Sequence, residues 1–242
     1  MIKYSLIIPF YNEAKNIPEV MLSLKFISKK INSIEFILVN NGSTDSSHNI
    51  LEKSLKNENK KIYRFFKIKK NIGYGHGIKY GLSKSKGHFL AWTHSDLQTD
   101  PKDLLKAIQI INKNKLKKDF FIKGLRKNRS YKENFQTRVM EIISSSFLNI
   151  KISDINAQPK VITRKFYKKF IEKKAPDDLS FDLYCYSLAA YKKLKIFYIN
   201  VLFKKRKFGE VKGGGEGGSL LSKLKVILVT LKCLIYLKFT NT

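Results

Sequence analysis

Short apolar, β-rich runs alternate along this chain with longer segments of helical period, and that alternation limits the fold more than any other feature. Strands are expected at Ser5–Pro9, Glu35–Asn40, Ile62–Ile68, His88–Thr93 and Asp119–Gly124. Between them, apolar residues recur at three- and four-residue spacing over Ile17–Ile31, Ser46–Lys56, Gly77–Lys84 and Pro101–Asn112. Strand and helix in strict alternation close into a mostly parallel sheet flanked by helices, an α/β fold. Pro101 suits the first turn of its helix, where the missing N–H costs nothing. After Gly124 the pattern changes to helices near Glu133–Leu148, Arg164–Glu172 and Phe181–Lys193, a strand at Ile196–Phe203 and a glycine-rich run from Gly213 to Gly218. Residues 1–212 read as one domain, and 213–242 as a glycine-rich loop followed by an apolar, basic C-terminal helix.

In such sheets ligands bind beyond the carboxyl ends of the strands, so the polar residues there are the first to inspect. The first strand ends in Pro9-Phe10-Tyr11-Asn12-Glu13 and the second in Asn40-Asn41-Gly42-Ser43-Thr44-Asp45. The third is followed by Asn71-Ile72-Gly73-Tyr74-Gly75-His76-Gly77, and the fourth by His94-Ser95-Asp96-Leu97-Gln98. The glycine cluster does not match G-x-G-x-x-G, because Ile78 and Tyr80 stand where the third glycine is needed, which disfavours a nicotinamide or flavin site. Asn41 to Asp45 also suit a turn and a helix cap. If the backbone after the fourth strand is extended, His94, Asp96 and Gln98 project to one side, a donor set for a divalent cation whose remaining ligands come from phosphate and water.

Taken in order, SLIIPFYNEAKNI, EFILVNNGSTDSS and NIGYGHGIKYGLSKSKGHFLAWTHSDLQTDP resemble the catalytic domain of inverting family-2 glycosyltransferases, which have the GT-A fold. Within the family, the glycine-rich segment followed by DLQ and a nearby proline is most similar to the branch of dolichol-phosphate mannosyltransferases and polyprenyl-phosphate glycosyltransferases. The match is strong over about residues 2–101 and continues more loosely through Arg126, the segment Asp154 to Lys160, and Lys205-Arg206 with Gly209 and Lys212.

The resemblance implies a nucleotide-sugar donor, a lipid or lipid-linked acceptor, and Mg²⁺ or Mn²⁺. It places Pro9, Tyr11, Glu13, Asn41, Asp45 and Gly73 around the donor, with Arg126, Gln158 and Lys212 also against substrate. Asp96 and Gln98, with His94, would hold the metal on the diphosphate. Arg206 would neutralise phosphate charge, and Asp182 would be the base if the acceptor is a hydroxyl. Two positions depart from the family pattern. Asn40-Asn41 stand where Asp-Asp is usual, which leaves the choice of base open. His94 stands where the first acid of D-x-D is usual, and imidazole prefers transition ions to Mg²⁺, so His94 meets either metal or sugar.

Composition narrows the partners. Lysine and arginine total 48 against 19 acidic residues, a formal net charge of +29, so the surface presents a positive field to phosphate-bearing partners. A nucleic-acid binder, the non-enzymatic alternative, would need lysines interleaved with aromatics on one face or a known module, and nucleic acid is not expected. Cys185 and Cys233 form no metal-binding pattern and suit a reducing compartment. The N-terminus reads as a buried strand and not a leader peptide. The C-terminal segment from Leu220 carries Lys223, Lys225, Lys232 and Lys238 within its apolar run. It therefore lacks the roughly 18–20 uninterrupted apolar residues of a spanning helix. Two roles are expected of it: docking on an anionic membrane surface with snorkelling lysines, at the cytoplasmic face, or packing as a terminal helix on its own domain or a partner chain.

Overall fold

The computed structural model describes residues 2–128, 131–209 and 219–241. One seven-stranded sheet is formed by β1 (Tyr4–Phe10), β2 (Ile34–Asn41), β3 (Tyr63–Ile68), β4 (Phe89–Trp92), β5 (Phe120–Lys127), β6 (Lys160–Thr163) and β7 (Lys195–Leu202), in the order β3-β2-β1-β4-β6-β5-β7. The helices are α1 (Ile17–Lys30), α2 (Ser47–Leu55), α3 (Tyr74–Lys84), α4 (Leu104–Lys113), α5 (Tyr131–Leu148), a single turn α6 (Arg164–Phe166), α7 (Phe181–Tyr191) and α8 (Leu220–Asn241). Every strand expected from the apolar runs is present within one to three residues of its expected bounds.

β1 and β2 are buried along their whole length, as strands covered on both faces must be. Successive side chains of β1 therefore go to different cores. Leu6, Ile8 and Phe10 join α1 and α4 on one face, whereas Ile7 joins Ile37, Ile78 of α3 and the apolar side of α7 on the other. Glu35 lies within this sheet fully buried, and its carboxylate is matched by donors from three directions: Ser5 Oγ at 2.7 Å, Arg64 Nη1 at 3.0 Å and the Lys86 amide.

β6 was not anticipated from the sequence. It inserts antiparallel between β4 and β5, pairing Trp92 with Lys160 and Phe121 with Ile162. Four residues beginning with a lysine give too short an apolar run to read as a strand. The inserted strand brings Lys160 and Gln158 under the carboxyl end of β4. The Gln158–Pro159 peptide is cis.

α8 buries Cys233, Leu234 and Leu237 in the second core, against α5 and α7, and leaves Leu228, Ile235 and Phe239 exposed. The described helix thus packs on its own domain with one side and offers a second, apolar side outward. Among the described residues no helix is long and apolar enough to cross a membrane.

Candidate active site

The first expectation the structure corrects concerns the segment after β4. The strand stops at Trp92, and Leu97 has φ +59°, in the left-handed region, so the backbone is not extended. The three side chains consequently do not all project to one side, although Asp96 Oδ2 stays 3.9 Å from His94 Nδ1. Gln98 turns to the late loop, where its Nε2 donates to the Lys204 carbonyl at 3.4 Å, and its amide donates to Asp96 Oδ1 at 3.1 Å. His94 turns inward under the sheet, while Asp96 faces the end of β1. Ser95 Oγ ties the loop to β1 by donating to the Pro9 carbonyl at 2.9 Å.

A chain of polar contacts runs through Asp96. Glu13, buried at the end of β1, pairs with Arg206 Nη2. Arg206 Nη1 reaches Asp96 Oδ2 at 3.5 Å, and its Nε donates to the Phe208 carbonyl at 2.8 Å. The guanidinium therefore joins the ends of β1 and β4 across 193 and 110 residues of sequence. On the other side of Asp96, Oδ2 lies 3.9 Å from His94 Nδ1. His94 Nε2 is 2.9 Å from Tyr74 Oη, and Tyr74 Oη donates to Asp182 Oδ2 at 3.1 Å. Burial pushes the His94 imidazole below its ordinary pKa, against the pull of Asp96 and Asp182 in the other direction.

Asp182 does not stand where a general base must. It is 1% exposed. Trp92 Nε1 donates to Oδ1 at 2.9 Å, Tyr74 and Gln158 Nε2 (2.8 Å) donate to Oδ2, and Lys160 Nζ lies 3.0 Å from Oδ2. Three hydrogen-bond donors and the Lys160 ammonium enclose a carboxylate that is almost wholly buried, so it has no open face toward an acceptor. Its place is behind the site, holding Tyr74, Trp92, Gln158 and Lys160 in register. Gln158 shares that role. Lys160 is itself fully buried, and burial lowers its pKa in opposition to Asp182.

The glycine-rich segment is also reassigned. Its amides do not point at a ligand: Gly75 N donates to the Asp178 carbonyl at 3.2 Å and His76 N to the Asp177 carbonyl at 2.9 Å. Gly73 has φ +151°, and a Cβ there would meet the Asp177 carbonyl oxygen at 2.1 Å; at Gly75 it would meet the Pro176 oxygen at 2.4 Å. These glycines are required because α3 docks backbone to backbone on the loop before α7, and that docking is what brings Tyr74 to Asp182.

The nucleotide-facing candidates lie together around the ends of β1 and β2. Asn12 Oδ1 accepts from Thr44 N at 2.8 Å, and Asn12 N donates to Ser43 Oγ at 3.1 Å, so the two loops form one wall. Asp45 accepts from Ser47 N at 2.9 Å, capping α2, and from Ala14 N at 3.3 Å. Asn41 Nδ2 donates to the Gly73 carbonyl at 3.0 Å, while its buried Oδ1 has no hydrogen-bond partner. Tyr11 is half-buried beside this wall and Pro9 is buried beneath it. Arg126 is committed to Asp154, with Nε to Oδ1 at 2.8 Å and its amide to Oδ2 at 2.7 Å. Burial raises the Asp154 pKa, but Arg126 outweighs it and holds the carboxyl below its usual range. Lys212 lies outside the described residues.

One residue the sequence did not single out is Lys123 on β5. It is fully buried, and its ammonium donates to the carbonyls of Gly124, Ser153 and Asp154 at 2.7–2.9 Å. Desolvation brings its pKa down to about 7. Three carbonyls saturate the three donors of an ammonium, which fixes the 153–158 loop that carries Gln158. A lysine among apolar neighbours in FFIKGL was the signal, since a charge inside a buried strand must be paired.

Among the described residues no three His, Cys, Asp or Glu side chains cluster as a cation site. The donor chemistry nevertheless fits a divalent ion that brings its own phosphate ligands. A carboxylate oxygen and an imidazole nitrogen face each other, and a guanidinium already occupies the adjoining cationic place between Glu13 and Asp96.

Comparison with known proteins fits this geometry. Residues 5–176 match the model of the family described as Glycosyl transferase family 2. The chain belongs to glycosyl transferase family 2. A dolichyl-phosphate β-glucosyltransferase of Dictyostelium discoideum is 29% identical over 115 residues, 45% of this chain and 35% of that protein. A dodecaprenyl-phosphate galacturonate synthase of Rhizobium johnstonii is 26% identical over 173 residues, 71% of this chain and 49% of that protein. The chain thus spans between about a third and a half of these two relatives. Among solved structures, glucosyl-3-phosphoglycerate synthase of Mycobacterium tuberculosis, in complex with Mn²⁺, UDP and glucosyl-3-phosphoglycerate, superposes with a TM-score of 0.70 at 14% identity, covering 98% of this chain and 80% of that one. A mannosyltransferase of Pyrobaculum calidifontis in complex with GDP-Man and Mn²⁺ gives 0.60 at 14% identity, covering 99% and 70%. The expected GT-A architecture, a mostly parallel sheet flanked by helices with a C-terminal helix, is the fold of this family-2 chain.

Proposed function

We propose that this protein transfers a sugar, with inversion, from a nucleotide-sugar donor to a lipid-phosphate or lipid-linked acceptor at a membrane surface. The observation that carries the reading is the meeting of Glu13, Asp96 and Arg206 at the carboxyl ends of β1 and β4. Two carboxylates share one guanidinium there, which leaves a net negative charge where a sheet of this kind binds ligands. The wall of Tyr11, Asn12, Glu13, Asn41 and Asp45 would receive base and ribose. Asp96 would hold Mg²⁺ or Mn²⁺, which when bound supplies positive charge to the departing diphosphate.

The chain's own groups supply the rest. Arg206, released from Glu13 by an incoming diphosphate, would offer a planar pair of donors to phosphate oxygens. Charge of this kind, aimed where negative charge develops, lowers the barrier to departure of the leaving group. An acceptor phosphate is already anionic and needs no proton removed. That suits a site whose carboxylate Asp182 is buried away from any acceptor. The relatives whose names specify dolichyl- and polyprenyl-phosphate substrates support the lipid reading. The outward apolar side of α8, with Lys225, Lys232 and Lys238 among its residues, supports peripheral attachment at the cytoplasmic face.

Incubation with UDP- and GDP-sugars and polyprenyl phosphate, followed by mass spectrometry of the lipid fraction, tests the proposal. A glycosylated lipid phosphate that disappears in Asp96→Ala is expected. Transfer only to a soluble hydroxyl acceptor would replace the acceptor class, and no transfer from any donor would overturn the reading.

A further inference from the structure

Most of the large apolar side chains left exposed among the described residues lie on α5 and α8, which pack against each other. On α5, Phe135, Val139 and Ile142 are spaced to share one face, and Phe135 and Ile142 are 61% and 60% exposed. On α8, Leu221, Leu228 and Ile235 recur every second turn in an exposed line, opposite the buried Cys233, Leu234 and Leu237. Side chains this bare stand on a convex surface and do not line a groove. Contiguous apolar surface of that kind marks an interaction site.

Both helices start at the catalytic end of the sheet. β6 is antiparallel to β4 and to β5, so β4 and β5 run the same way, and α5 begins just beyond the carboxyl end of β5. Cys233 Sγ of α8 lies 3.9 Å from the carbonyl of Ser180, two residues before Asp182, whereas Lys238 Nζ lies 4.6 Å from the ring centre of Phe147 near the end of α5. α8 therefore runs parallel to α5, and its turns before Cys233 lie toward the site.

We propose that the outward faces of α5 and α8 form one surface that docks on an anionic bilayer and holds the catalytic end of the sheet beside the lipid headgroups. This rests on the lipid-linked acceptor proposed above and deepens it by assigning α5 and an orientation. Charge selects the occupant. Lys225 and Lys232 run alongside the Leu221, Leu228 and Ile235 line, Arg138 is exposed between Phe135 and Ile142, and α8 contains no acidic residue. A second copy seated on this face would set like charges against one another, whereas anionic headgroups match them and the apolar lines enter the acyl boundary. An acceptor phosphate can then meet the donor without its tail leaving the membrane.

The test uses full-length chains carrying Ile142→Cys, Leu228→Cys or, on the opposite face of the sheet, Leu22→Cys, labelled with an environment-sensitive fluorophore; Cys185 and Cys233 are buried. Vesicles of phosphatidylcholine with phosphatidylglycerol should shift the emission to the blue at Ile142 and Leu228 and leave Leu22 unchanged. Phe135→Ser with Ile142→Ser should weaken vesicle binding about tenfold to a hundredfold, as losing roughly half the burial of two such side chains would, at an unchanged melting temperature. The same variant should keep transfer to a short-chain prenyl phosphate in detergent and lose most transfer to polyprenyl phosphate in vesicles. A shift at Leu228 alone, or equal vesicle binding by the double variant, would overturn the role of α5. Shifts that appear without vesicles as protein concentration rises would make the face a contact between copies and overturn the proposal. Docking by both helices without transfer to any lipid phosphate would overturn the acceptor reading and leave the surface standing, and transfer without docking would do the reverse.

Discussion

Replacing Asp182 with alanine removes the partner of a lysine that has no access to water. Lys160 is fully buried 3.0 Å from Asp182 Oδ2, and Trp92 Nε1, Tyr74 Oη and Gln158 Nε2 all donate to the same carboxylate. Breaking a buried pair from one side costs about 3–5 kcal/mol, because the remaining charge is left uncompensated. Lys160 can lose its proton to escape part of that cost, which argues for the lower half of the range. At about 2–4 °C per kcal/mol for a chain of this size, the melting temperature should fall by roughly 6–16 °C. The comparison that isolates the pair is Lys160→Met alone and combined with Asp182→Ala. The double variant leaves no uncompensated buried charge and should recover the part of the loss that Lys160 causes, while Trp92, Tyr74 and Gln158 still lack their acceptor. Urea denaturation and thermal melts of the four proteins measure the cycle. A loss below about 1 kcal/mol in Asp182→Ala, the size of one ordinary hydrogen bond, would refute the claim that this carboxylate organises the site. Strict additivity in the double variant would do the same.

Arg206→Ala should lower turnover more than it raises the Michaelis constant, and a variant with unchanged kcat would reduce Arg206 to a binding contact. Lys123 has a folded-state pKa of about 7, below its ordinary value of 10.5. The unfolded chain therefore binds more protons between those values, and stability should rise with pH from about 7 to 10, by at most about 1.4 kcal/mol per unit for this group. Lys160 acts in the same direction, and denaturation at stepped pH, with Lys123→Met as the flattened control, reads the slope. Leu228→Glu with Ile235→Glu alters the outward side of α8 without touching Cys233, Leu234 or Leu237. Flotation with anionic vesicles should be lost while thermal stability is kept, and high salt should weaken wild-type flotation without ending it. Equal flotation of the variant would sink the membrane assignment.

What the sequence determined by itself was everything with a short repeat. The bounds of β1, β2 and β3 and of α1, α2 and α4 were legible, because alternation and helical period are local properties and a strand buried on both faces is apolar throughout. The polar loops after β1, β2 and β4 were legible as candidates for the same reason: polar residues immediately after apolar runs leave the core together. Tertiary structure decided the rest, and each case turns on a contact between distant residues. Lys160 became the start of a strand because β6 pairs antiparallel with both β4 and β5, far apart in sequence. Asp182 became a buried anchor and not a base, because α7 brings it to Trp92 and Tyr74, 90 and 108 residues away. Gly73 and Gly75 serve a backbone contact with the 176–178 loop, where a glycine-rich string alone reads equally well as a phosphate cradle. His94 and Asp96 were visible as unusual neighbours, but the direction of each side chain depended on the left-handed turn at Leu97 and on the phenol waiting beneath. Residue types announce which chemistry is available, whereas the partner of each donor is decided only in three dimensions.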